Sequence, residues 1–89
     1  MPRVLIVDDE PSIRELLVRI VEAEGLEGIE AEDGVVALEL ARAQKPDVIL
    51  LDNIMPKLDG LGFLKVLRAD AGLSQVPVIM VSIQQWRVR

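Results

Sequence analysis

Two groups of aspartates follow apolar runs that have the character of buried strands. Asp8 and Asp9 come after Val4-Leu5-Ile6-Val7, and Asp52 ends the apolar run that begins at Asp47. In open α/β sheets, the carboxyl ends of parallel strands form the rim where ligands bind. If these two strands are neighbours in one sheet, we expect at least three carboxylates to converge on that rim.

Such a cluster of like charges is unfavourable unless a cation neutralises it. At ~4 Å, two carboxylates repel each other by roughly 4 kcal/mol at an effective dielectric constant near 20. The sequence contains no Cys and no His, which excludes disulfides, thiolate ligands and imidazole ligands. Oxygen ligands alone favour Mg²⁺, Mn²⁺ or Ca²⁺. The sequence therefore predicts a divalent-metal site at this rim.

Length and composition limit the classes of protein that fit. The 89 residues suffice for one domain, and 51% apolar with 28% charged residues is typical of a globular chain. No apolar run approaches the ~20 residues that cross a bilayer, and no signal peptide is recognisable, so we expect a cytoplasmic protein and no membrane partner. The formal charge of -5 argues against direct binding to nucleic acid.

Apolar spacing and turn residues predict the element order β-α-β-α-β-α-β. With right-handed crossovers, this order gives a doubly wound parallel sheet with helices on both faces. Pro11 suits the start of the first helix, Asp33 is a good cap for the second, and Asp59-Gly60 opens the third. Helical spacing assigns four leucine and isoleucine side chains to the core: Leu16, Leu17, Ile20 and Leu64.

At this point the chain resembles the receiver domain of two-component response regulators, a CheY-like, flavodoxin-like α/β module. Five segments carry the resemblance, in the family's order and spacing across residues 3–82. They are Val4 to Glu10, Asp33-Gly34, Asp47 to Asp52, Met55-Pro56-Lys57-Leu58-Asp59-Gly60, and Pro77 to Ser82. A lone Asp-Asp pair is weak evidence of function, whereas this ensemble is highly specific.

The resemblance implies a role for each residue of the predicted site. Asp52 would be the phosphoacceptor, taking a phosphoryl group from a histidine kinase or phosphotransfer protein. Asp9 and Asp52 would bind Mg²⁺ (or Mn²⁺) directly, Asp8 through a water, and Ile54 through its backbone carbonyl. Ser82 would hydrogen-bond the phosphoryl oxygens and move on activation. A metal suits this chemistry because a carboxylate is a poor nucleophile towards an anionic donor.

The chain departs from the family's pattern after Ser82. The pattern continues there through a helix, a fifth strand ending in a lysine, and a last helix, whereas this sequence ends at Arg89. We therefore assign residues 1–89 to one truncated receiver domain, with residues 83–89 as a divergent tail. The expected sheet is incomplete, in the order 2-1-3-4, without the fifth strand and last helices. None of Lys45, Lys57 and Lys65 occupies the position of the family's lysine.

An incomplete sheet predicts self-association. Without a fifth strand, Val78 to Val81 becomes an edge, and unpaired apolar edges promote pairing between chains. Exposing three or four large apolar side chains, at roughly 1.5 to 3 kcal/mol each, rivals the whole stability of a small domain. We therefore expect a homo-oligomer, or a domain-swapped dimer formed through the fourth strand and the tail Gln84 to Arg89.

Three functions compete on these observations. The first is a phospho-accepting receiver module, which is not an enzyme, although weak self-phosphorylation and autodephosphorylation are compatible with it. The alternative is a phosphorylation-impaired interaction or oligomerisation module that keeps the fold without the family's lysine. An aspartate-nucleophile phosphatase fits worst, because Ile54 stands where a second catalytic aspartate is needed. A structural interpretation also exists for three of the site residues: Asp8 and Asp9 as a strand end and helix cap, and Ser82 as a strand-end cap.

Overall fold

Strands and helices alternate along the chain in the computed structural model, which describes residues 1–52 and 60–81. The strands are β1 (Arg3–Val7), β2 (Glu27–Ala31), β3 (Val48–Asp52) and β4 (Val78–Val81). The helices are α1 (Pro11–Ala23), α2 (Gly34–Gln44) and α3 (Gly60–Ala69). The predicted order of elements is confirmed.

The four strands of the described residues form one parallel sheet in the order β2-β1-β3-β4. This confirms the doubly wound fold class and the predicted strand order. β1 lies between β2 and β3, and its residues Val4 to Val7 are buried. A strand covered on both faces needs a continuous apolar run, which is the pattern that the sequence shows there.

Two apolar clusters cover the two faces of the sheet. On one face, α2 and α3 pack against alternate strand residues, among them Leu5 and Ile49. On the other face, α1 packs through Val21 against Val4 and Ile6. The alternation follows from strand geometry, because successive side chains point to opposite faces.

Helix α1 packs through a different stripe from the one that helical spacing predicted. Leu17 and Val18 pack against the sheet, whereas Leu16 is 48% exposed and Ile20 is 51% exposed. The assignment of Leu16 and Ile20 to the core is therefore wrong. The helix lies close to β2, because Gly28 has no side chain: a Cβ there would lie 3.2 Å from Val18 Cγ1. Leu16 and Ile20 are each two residues from Val18, about 200° around the helix, and so lie on the side that faces solvent.

Asp33 caps α2 as the sequence predicted. Its Oδ1 accepts a hydrogen bond of 2.9 Å from the backbone N–H of Val36, one of the donors that a helix leaves unpaired at its start. The helix ends at Lys45, whose φ of 49° is left-handed and whose N–H donates to the carbonyl of Ala41. These two local hydrogen bonds fix where α2 begins and ends.

The connection between α3 and β4 is held by charged side chains. Arg68 Nη1 donates to the carbonyls of Ser74 and Val76, at 2.8 Å each. Asp70 accepts from Arg42 of α2 at 3.1 Å and from the N–H of Gly72 at 3.0 Å. The Arg42 guanidinium holds the pKa of Asp70 below its usual range, with the Gly72 hydrogen bond acting in the same direction. These contacts fix where the chain enters β4.

Candidate functional site

The two acidic strand ends lie side by side. β1 and β3 are hydrogen-bonded neighbours, and Val7 is paired in register with Leu51. Asp8 and Asp52 each follow this pair by one residue, so their backbones leave the sheet at the same rim. This confirms the premise that the two strands are adjacent. The side chain of Asp52 lies outside the described part of the structure, and the convergence of three carboxylates stays a prediction.

Asp8 is buried and held by a local turn. Asp8 is only 5% exposed. Its Oδ1 accepts a hydrogen bond of 2.9 Å from the backbone N–H of Glu10. Its own N–H donates to the carbonyl of Ala31 on β2, at 3.1 Å. The hydrogen bond from Glu10 fixes the orientation of the Asp8 carboxylate.

Asp9 has a different environment from its neighbour. It is exposed, immediately after the buried Asp8, so its carboxylate faces solvent at the rim. The two other predicted contributors, Ile54 and Ser82, lie outside the described residues. Among the side chains that the structure describes, which do not include that of Asp52, no three acidic groups are close enough together to hold a metal ion.

The donor set nevertheless fits a hard divalent cation. One buried and one exposed carboxylate stand at the rim, and the backbone of a third aspartate lies beside them. Mg²⁺ is bound through one or two carboxylates and keeps several waters, so an open rim with few protein ligands is sufficient. The pattern of oxygen donors therefore supports Mg²⁺ better than a metal that needs nitrogen or sulfur.

Asp47, at the other end of β3, has a structural role. Its Oδ2 accepts from the N–H of Arg3 at 2.7 Å, and its N–H donates to the Arg3 carbonyl at 2.8 Å. These two bonds extend the pairing of β1 and β3 by one position at the amino end of the sheet. The two aspartates that flank the apolar run of β3 thus lie at opposite ends of the sheet.

Arg14 is a residue of this site that the sequence reasoning missed. It lies near the start of α1, its side chain is 17% exposed, and its Nη1 donates 2.9 Å to the backbone carbonyl of Asp8. Its Nε donates 3.1 Å to Oε1 of Glu30 on β2. A signal for it existed in the sequence, because a cation near a helix N-terminus opposes the helix dipole and needs a specific partner.

The sequence model of the family described as the response regulator receiver domain matches residues 4–87. Protein PilH of Pseudomonas aeruginosa is 43% identical over 82 residues, which are 92% of this chain and 68% of PilH. The DNA-binding response regulator MtrA of Mycolicibacterium smegmatis is 40% identical over 80 residues, 90% of this chain and 34% of MtrA. The chain thus spans about a third of the length of MtrA and about two thirds of the length of PilH.

A solved structure has the same arrangement. The N-terminal domain of a response regulator receiver protein from Methanoculleus marisnigri superposes with a TM-score of 0.85 at 36% identity. The match covers 88% of this chain and 63% of that one. Among residues 1–52 and 60–81, no helix is long and apolar enough to cross a membrane.

Proposed function

The chain belongs to the response regulator receiver domain family, and on that premise we propose that Asp52 accepts a phosphoryl group in a two-component phosphorelay. The observation that supports the proposal is the pairing of β1 with β3, in which Val7 lies opposite Leu51 and each is followed directly by an aspartate, Asp8 and Asp52. The donor would be a phosphohistidine of a histidine kinase or phosphotransfer protein in the cytoplasm. The chain acts as a signalling module and not as an enzyme with a separate substrate.

The transfer is a displacement at phosphorus. A carboxylate oxygen of Asp52 forms a bond to the phosphorus, and the bond from phosphorus to the donor's imidazole nitrogen breaks. The imidazole takes the electron pair of that bond and leaves, and the product is an aspartyl phosphate. Its added charge and acceptor oxygens attract hydrogen-bond donors, which is how a local reaction biases a conformational equilibrium.

The acidic residues that follow β1 suit this rim to Mg²⁺. Asp9 and Asp52 would ligate the ion directly, Asp8 through a water, and Ile54 through its carbonyl. When bound, Mg²⁺ supplies the positive charge that offsets repulsion between the nucleophile and the phosphoryl oxygens. Ser82 would donate a hydrogen bond to the transferred group. The buried, oriented Asp8 supports the water-mediated role, and the exposed Asp9 supports the direct one.

Phosphorylation by a small donor tests this proposal. With Mg²⁺ and acetyl phosphate, intact mass spectrometry should detect one phosphoryl increment, which disappears in Asp52→Ala and on addition of a chelator. Asp47→Asn is the matched control, because it changes an aspartate at the opposite end of the same strand and should leave the increment in place. No increment under conditions that label a full-length receiver domain would contradict the proposal.

A second candidate function is an interaction or oligomerisation module with impaired phosphorylation. It is favoured by β4, which among the described residues pairs with β3 alone and exposes Ile79 to 53% and Met80 to 42%. Strand edges with large exposed apolar side chains associate readily, since neither charge nor a bulge blocks pairing. We propose that a second copy of this chain covers this edge, either by edge pairing or by exchange of the fourth strand and the tail.

The oligomeric state at micromolar concentration tests this second proposal. Size-exclusion chromatography with light scattering should give a dimer for the unaltered chain and a larger monomer fraction for Ile79→Lys, because a charge on an edge strand disfavours pairing. Val35→Lys is the control: Val35 is exposed to a similar degree, but on α2. A compact monomer that unfolds cooperatively would refute the proposed self-association.

A further inference from the structure

Three successive peptide groups in the turn after β1 are each held by a different partner. The N–H of Asp8 donates to β2, and the N–H of Glu10 donates to the Asp8 carboxylate. The peptide between them joins Asp8 to Asp9, and its carbonyl oxygen accepts the 2.9 Å hydrogen bond from Arg14 Nη1. Arg14 therefore supplies a hydrogen bond that holds the middle peptide of this turn.

The orientation of that peptide affects the position of the Asp9 Cα, from which the side chain extends. The carbonyl of Asp8 and the N–H and Cα of Asp9 lie in one plane, because the peptide bond is rigid. Rotation of the plane would swing the Cα of Asp9, and its carboxylate would move with it. A guanidinium that holds the Asp8 carbonyl thus also limits the directions available to the Asp9 carboxylate.

Arg14 is itself well fixed. Its backbone N–H donates to the Glu10 carbonyl at 3.0 Å, and its Nε donates to Glu30 at 3.1 Å. Its side chain is 17% exposed, whereas that of Arg19, one turn further along α1, is 75% exposed. The planar fork of Arg can bind a carbonyl and a carboxylate together through separate nitrogens, which the single ammonium of Lys does less well.

We infer that Arg14 is a positioning residue, which orients the Asp8–Asp9 peptide from its anchor on Glu30 and so aims the Asp9 carboxylate at the metal. The inference rests on the proposed function, since it assigns Arg14 a role towards the metal of the same site. Residues that orient a ligand in this way commonly change metal affinity by 10- to 100-fold when they are replaced.

The charge of Arg14 predicts an effect of the opposite sign. A guanidinium near a cation site repels the cation, so an Arg14 that acted through charge alone would weaken metal binding. Removing it would then strengthen Mg²⁺ binding. A positioning role predicts weaker Mg²⁺ binding for the same substitution, and the direction of the change therefore separates the two roles.

The test compares Arg14→Gln and Arg14→Lys with Arg19→Gln in the full chain. Calorimetric titration with Mg²⁺, well below the unfolding temperature, should give a dissociation constant about tenfold higher for both Arg14 variants. Arg19→Gln removes an arginine from the same helix and should stay close to the unaltered chain. Glu30→Gln should have a smaller effect than Arg14→Gln, because an amide oxygen still accepts the Nε hydrogen bond.

A second measurement needs no metal. Residual dipolar couplings report the orientation of the Asp9 N–H bond, which lies in the peptide that Arg14 holds. This coupling should change in Arg14→Gln and not in Arg19→Gln, while couplings in β2 and β3 stay constant. If the unaltered chain binds no Mg²⁺, the proposed metal site fails, and an unchanged Asp9 coupling would separately refute the positioning by Arg14. Equal or tighter Mg²⁺ binding by Arg14→Gln would overturn the inference directly.

Discussion

Replacing Asp9 with asparagine should lower the affinity for Mg²⁺ by about tenfold or more and slow phosphorylation by acetyl phosphate to a similar extent. Asp9 is the exposed member of the acidic pair, so its carboxylate is free of the burial that restricts Asp8. Because Asp9 is exposed, its replacement should change the free energy of unfolding by no more than about 0.5 kcal/mol. Calorimetric titration with Mg²⁺ and denaturant unfolding measure the two quantities separately.

Glu15→Gln is the charge-matched control for this prediction. Glu15 is exposed on α1 and pairs with Arg19 at 2.8 Å, so its substitution also removes one negative charge from the surface. If Asp9 acted only through the net charge of the protein, Asp9→Asn and Glu15→Gln would weaken Mg²⁺ binding to the same extent. Unchanged Mg²⁺ affinity in Asp9→Asn, in a protein that does bind the ion, would remove Asp9 from the metal site.

Phe63→Ala should destabilise the domain by about 3 to 5 kcal/mol, the usual cost of deleting a fully buried aromatic side chain. Phe63 is among the largest fully buried side chains of the described residues, and it belongs to the cluster that contains Leu5 and Leu51. A domain of this size is stable by only about 5 to 15 kcal/mol. The variant should therefore unfold at much lower urea concentration, as measured by far-ultraviolet circular dichroism.

Val66→Ala on the same helix separates loss of core packing from loss of helix propensity. Val66 is exposed, and its replacement by a better helix former should change the free energy of unfolding by about 0.5 kcal/mol or less. A Phe63 variant no less stable than the Val66 variant would show that α3 does not anchor this face of the sheet.

The contacts of Phe63 link stability to the candidate site. Leu51 lies in the same apolar cluster and immediately precedes Asp52, while Val7 of that cluster immediately precedes Asp8. Helix α3 thus packs beneath the two strand ends that carry the acidic residues. Loosening this packing should also reduce Mg²⁺ affinity, because the distance between the two strand ends would no longer be fixed.

The sequence alone predicted the class of fold, since the relevant signals are local. A strand buried on both faces requires an apolar run such as Val4 to Val7, and the capping aspartate Asp33 marks the start of a helix by its chemistry. The segments that match the receiver family lie at fixed spacing, so the family and the order of strands also followed from the chain. The acidic strand ends were found for the same reason.

The packing stripe of α1 was decided by the tertiary structure. Leu16 and Ile20 have the same helical spacing as Leu17 and Val21, and periodicity cannot choose between adjacent stripes on an apolar helix. The absence of a side chain at Gly28 on β2 favours the stripe that contains Val18, because it lets Val18 approach the sheet closely. Such a contact joins residues of different elements, and it has no signature within either segment.

Arg14 illustrates the same division between local and tertiary information. The sequence places acidic residues at the rim through local patterns, but the direction of each side chain depends on hydrogen bonds that span elements. Arg14 joins α1 to β2 through Glu30 and to the end of β1 through the Asp8 carbonyl. The residues able to do the chemistry were therefore determined by the sequence. Their orientation was decided only when folding brought the three elements together, because hydrogen-bond geometry depends on positions in space and not on spacing along the chain.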